Sequence, residues 1–161
     1  MQRGKMFSEL NFLARTEEER EILKEELEAL SASLYERQGA YDEVLLNKVR
    51  PETSQTLKSL IVQAKVSDRA KFFAQALKSL ESLRVLELTL AFVPKGQTVE
   101  RIWQWARRNL GEGVILKFSL DRSIGAGAIV VFEGKFRNYS LKRLLEDYFA
   151  VSKDNLVKTL A

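Results

Sequence analysis

Val85-Leu86-Glu87-Leu88-Thr89-Leu90-Ala91-Phe92 is where the sequence changes its period. Leu86, Leu88, Leu90 and Phe92 alternate with Glu87, Thr89 and Ala91, a repeat of two that predicts a strand with one apolar face. Pro94-Lys95-Gly96 stops it. Everything before this stretch has a helical repeat, and everything after it is cut by turns. Six of the eight glycines lie at position 96 or beyond, so turn punctuation is concentrated in the back half.

Downstream, Thr98 opens a helix whose apolar face is Val99, Ile102, Trp103, Ala106 and Leu110, and Gly111 supplies its stop. Trp105 falls off that face, as do Arg101, Arg107 and Arg108. A second strand places Val114, Leu116, Phe118 and Leu120 together. After the loop 121–127 comes the apolar run Ala128–Phe132, and the two strands are expected to pair as a hairpin. Glu133-Gly134-Lys135 turns the chain into Phe136–Tyr139, and Ser140 caps a helix carrying Leu141, Leu144, Leu145, Tyr148 and Phe149, packed on the sheet.

Upstream, Thr16 and Glu19 form a capping box ahead of a stripe of Leu23, Leu27, Leu30 and Leu34. Seven acidic residues between Glu17 and Glu28 are assigned to the other faces. The helical pattern pauses near Gly39 and resumes through Tyr41, Val44, Leu45 and Val49 until Pro51. A helix over about 52–64 follows, then one capped by Ser67 that turns Phe72, Phe73, Ala76, Leu77 and Leu80 inward. The expected fold class is α+β: a helical N-terminal module, residues 1–83, followed by a small β-α-β-β-α C-terminal module, residues 84–161.

Composition narrows the chemistry. The chain of 161 residues has no cysteine and no histidine, which removes disulfides, thiolate metal sites and every Ser-His or Cys-His dyad. No run approaches the roughly 18–20 apolar residues of a transmembrane helix, and no signal or transit pattern opens the sequence, so a cytoplasmic protein is expected. Residues 1–50 carry 8 Lys/Arg against 11 Asp/Glu, while residues 51–161 carry 18 against 11. An acidic head on a basic body implies two different contact surfaces.

Gly125-Ala126-Gly127 leads into a strand rather than a helix N-terminus, which argues against a phosphate cradle. Asp121 and Glu133 bracket the loop and strand; Asp121 is read as a turn residue rather than half of an acid/base pair. Basic residues interleaved with Trp105, Phe136 and Tyr139 leave a basic RNA- or ribosome-associated binding protein as the alternative, although paired aromatics on adjacent strands are missing. No catalytic residue, cofactor or metal ligand is assigned.

Residues Val114 to Phe149 resemble the C-terminal region of the delta subunit of F-type ATP synthases, whose mitochondrial homologue is the oligomycin-sensitivity-conferring protein. The match runs from Val114, Leu116 and Leu120 into Asp121-Arg122-Ser123-Ile124-Gly125-Ala126-Gly127 and closes on Asn138-Tyr139-Ser140-Leu141-Lys142-Arg143-Leu144. Arg122 stands where the family has proline, and Val131 where a polar residue is common. The front half, roughly 85 residues, has room for three or four helices, one of them long, and a vacuolar-type stalk subunit stays open within the same class.

The resemblance implies a non-catalytic stator subunit of a proton-translocating ATP synthase. It would sit on the inner face of the cell membrane through that complex and link the alpha and beta subunits of the catalytic head to the b-type stalk subunits. Asp121, Ser123, Ile124, Gly125, Ala126, Gly127 and Ser140 would be its structural signature. Trp105 and Phe136 are candidate apolar anchors, with Ile124 a further one, and Arg101, Arg137, Lys142 and Arg143 a basic rim.

Overall fold

The computed structural model describes residues 7–160, with side chains as far as residue 150. Its elements follow in the order α1 (Ser8–Asn11), α2 (Glu17–Ser33), α3 (Ala40–Asn47), α4 (Pro51–Gln63), α5 (Arg69–Glu81), β1 (Arg84–Leu90), α6 (Gln97–Leu110), β2 (Val114–Leu120), a 3-10 turn (Arg122–Ile124), β3 (Ala128–Phe132), β4 (Lys135–Asn138) and α7 (Leu141–Leu160). The class is α+β, helices first and strands after. Two compact units result: the described residues up to Arg84 with Arg107–Ile115, and Val85–Ala106 with the residues from Leu116 onward.

Among the described residues the helical unit holds five helices before β1 rather than three or four. Thr16 caps α2 as expected, its Oγ1 accepting the Glu19 N–H at 3.2 Å, while the Glu19 carboxylate reaches back to the Arg15 N–H at 2.8 Å. Leu23, Leu27 and Leu30 are fully buried. The cap of α5 is Asp68, not Ser67: its carboxylate accepts the Lys71 N–H at 2.9 Å. Asp and Ser are both good caps, and the shift of one position between these neighbours decides which N–H is within reach. Pro51 is the first residue of α4, where its missing N–H costs nothing. Phe73 is fully buried, with its ring 5.6 Å from Phe72 and 6.3 Å from Tyr41.

The sheet has the order β2-β1-β3-β4. The expected β2–β3 hairpin therefore does not form. At one end the Arg84 N–H donates to Gly113 O at 2.8 Å, and at the other the Asp121 N–H donates to Leu90 O at 2.9 Å, so β1 and β2 run in parallel. The loop after β2 then passes the end of β1 and enters β3 on its far side. A seven-residue connection holding a 3-10 turn allows this, where a two-residue turn would have forced neighbours in sequence to pair.

The hairpin that does form is β3–β4. Its register pairs Phe132 with Lys135, and its two turn residues, Glu133 at φ 48° and Gly134 at φ 74°, both have positive φ, as a tight twisted hairpin requires. In the second unit Leu86, Leu88, Leu90, Trp103, Ala106, Leu116 and Ile124 are buried. In contrast to the expected packing, every residue of α7 from Leu141 to Ala150 is exposed. Its apolar side has no covering surface among the described residues.

Candidate functional site

The signature residues are brought together as one backbone knot. The Asp121 carboxylate turns back to accept the Ser123 N–H at 2.9 Å, which starts the 3-10 turn. Hydrogen bonds from the Ser123 hydroxyl and backbone, with the charge of Lys142 nearby, hold its carboxyl below the usual aspartate range. Ile124 is 3% exposed, which removes it from the anchors expected of it: the 3-10 turn points the side chain inward.

Ala126 O accepts the Leu141 N–H at 2.9 Å, and Ala128 O accepts the Tyr139 N–H at 2.8 Å, so the loop is fastened to the start of α7. Gly127 lies at φ 84°, and a Cβ there would collide with the Tyr139 carbonyl, its carbon only 3.1 Å away. Ser140 is buried and caps α7, its Oγ accepting the Arg143 N–H at 3.2 Å. An open groove of about 400 Å³ runs over this knot, lined among others by Gly127, Tyr139, Leu141, Arg143 and Leu144.

The interface candidates stand on three elements. Arg101 and Trp105 lie one turn apart on α6, and Trp105 is 55% exposed. Phe136 and Arg137 are neighbours on β4, both exposed, with opposite orientations across the strand. Lys142 and Arg143 occupy the first turn of α7, where Arg143 pairs with Asp147 at 3.1 Å.

Beside them is a larger feature. Leu141, Leu144, Leu145, Tyr148 and Phe149 form an exposed apolar side of α7. Their i, i+3, i+4 spacing was visible in the sequence, but periodicity reports only that a face is apolar, not what covers it.

A second group escaped sequence reasoning. Glu26 is 5% exposed on α2, and its carboxylate accepts the Arg50 backbone N–H at 2.8 Å, Arg50 Nε at 2.8 Å, Arg50 Nη2 at 3.0 Å and Thr53 Oγ1 at 2.8 Å. Burial alone would raise this carboxyl, but the four donors and the guanidinium charge outweigh it, and the group is held below its usual value. The signal was present: Glu26 sits on the Leu23–Leu30 stripe rather than beside it. The network ties α2 to the start of α4 and is structural.

Among the described residues, these features present surfaces rather than an assembled reactive group, and no three acidic side chains are placed to hold a metal. A helical unit joined to an α+β unit with an uncovered apolar helix is the build of a protein-binding subunit. The chain belongs to the ATP synthase delta (OSCP) subunit family, whose model matches residues 2–149. No curated protein matches the chain. It is thus a subunit of the ATP synthase peripheral stalk, from a family that is structural rather than catalytic. Among the described residues no helix is long and apolar enough to cross a membrane.

Proposed function

We propose that this subunit joins the catalytic head to the b-type stalk subunits, holding the head still against the turning rotor on the inner face of the cell membrane. The observation that carries the stalk contact is the exposed apolar side of α7, from Leu141 to Phe149. Five large side chains at helical spacing suit a long partner helix laid against them. Trp105 and Phe136 add aromatic anchors, and Arg101, Arg137, Lys142 and Arg143 supply a basic rim. The helical unit, whose first 50 residues carry the acidic excess, is left to meet the alpha and beta subunits of the head. The family match sets this reading above RNA binding.

The test is affinity purification of the tagged chain from detergent-solubilised membranes, with mass spectrometry of what comes along. Alpha, beta and b-type subunits are the expected company, and Leu144→Asp with Phe149→Asp should lose the b-type subunits while keeping the head. An RNA-rich eluate without ATPase subunits would overturn the proposal.

A further inference from the structure

Among the described residues the last strand of the sheet, β4, has no strand paired on its outer edge. In the β3–β4 ladder the Tyr139 N–H donates to Ala128 O, which makes 128/139 a hydrogen-bonded pair and, counting by two, 130/137 and 132/135 as well. The backbone groups of Phe136 and Asn138 therefore point away from β3, along the sheet's outer edge. The Phe136 carbonyl is met there by its own neighbour, Arg137, whose Nη1 donates to it at 3.0 Å. Lys135, Phe136 and Arg137 are all exposed.

We infer that this edge accepts an extended segment of a partner protein in which acidic and apolar residues alternate, added as a fifth strand beside β4. The pairing geometry specifies that pattern. Lys135 and Arg137 share one face of the sheet, and Phe136 points to the other. An incoming antiparallel strand makes its hydrogen bonds at Phe136 and Asn138. The positions opposite Lys135 and Arg137 are then the non-hydrogen-bonded ones, where side chains come closest and a carboxylate best meets a cation.

A residue opposite Phe136 meets a ring that is 56% exposed. The incoming N–H takes the Phe136 carbonyl, and the Arg137 guanidinium swings from that oxygen to a carboxylate of the segment. A charged edge that carries its own substitute donor is guarded against indiscriminate strands and open to one of opposite charge.

Phe136 and Arg137 also belong to the stalk-facing candidates, but the strand addition does not depend on the stalk reading. The experiment uses the full chain, isotopically labelled, titrated with a peptide of about eight residues alternating glutamate and valine, the length of an ordinary strand. The expected result is saturable amide shifts centred on Phe136 and Asn138. Lys135→Glu with Arg137→Glu should weaken that peptide by about tenfold or more and create binding for the lysine–valine counterpart, which shows the variant is folded. Shifts confined to α7, no shifts at all, or an affinity unchanged by the charge reversal would overturn it. Co-purification of b-type subunits is read separately, so either proposal fails without the other.

Discussion

In the helical unit Leu23, Leu27 and Leu30 of α2 are fully covered, while in the sheet unit Leu141, Leu144 and Leu145 of α7 stand in solvent. Both helices carry apolar residues at the same three-and-four spacing, and both begin with a side-chain cap. The difference is what the rest of the unit supplies. The helices of the first unit close over the α2 stripe and even satisfy a buried carboxylate, while single apolar residues such as Leu46 and Val62 stay exposed on separate helices. The second unit buries one face of β1 and leaves β4 and the apolar side of its last helix facing outward. The first unit exposes its apolar residues on separate elements; the second gathers five of them on one side of a single helix, the contiguous kind of patch that suits binding another protein.

The contrast breaks if the helical unit tolerates truncation. Phe73→Ala removes a fully buried ring and should cost about 3–5 kcal/mol in urea unfolding. Glu26→Ala leaves the Arg50 guanidinium facing a cavity, and because Arg50 is partly exposed the loss should fall near the lower end for broken pairs, about 3 kcal/mol.

The same carboxylate gives a pH test. Its folded value lies below the usual 4.5, so its contribution is complete above that value and fades as pH falls through the lower folded one. Wild-type stability should drop across that acid range more steeply than that of Glu26→Gln. Parallel curves would show that the carboxylate contributes nothing.

In the sheet unit, Gly127→Ala should cost more than the ~1–3 kcal/mol of a strained positive φ alone, because its Cβ also meets the Tyr139 carbonyl and the backbone must shift. The measurement is thermal unfolding together with hydrogen exchange at Leu141, whose N–H is fastened to Ala126 O. Loss of protection there with the helical unit unchanged would locate the damage in the knot.

How much of this was legible follows from what each signal encodes. The Thr16 cap and the stripe of α2 depend on spacing within a few residues, and spacing is what a sequence displays. The α+β class followed from the change of period at Val85, and the family from Asp121–Gly127. The β2-β1-β3-β4 order was not legible, because strand alternation fixes faces but not neighbours, and the seven-residue loop permits either side of β1. Glu26 is grouped with the acidic residues on the other faces of α2, although its position on the stripe places it inside. Ile124 is expected as an exposed anchor, and the 3-10 turn buries it instead.

The smallest stability effect carries the sharpest functional test. Phe136 is 56% exposed and Leu144 is 66% exposed, so replacing either by aspartate should change unfolding by no more than about 0.5 kcal/mol, the range of ordinary surface substitutions. Each should nevertheless weaken recovery of b-type subunits, because a charge at an apolar anchor must be desolvated when the partner arrives. The two residues stand on different elements, β4 and α7, so they report separately. Loss of b-type subunits with Leu144→Asp alone would assign the stalk contact to the helix and leave Phe136 to the open edge of the sheet. An unfolded Phe136→Asp variant would instead make the ring part of the core and remove it from the anchors.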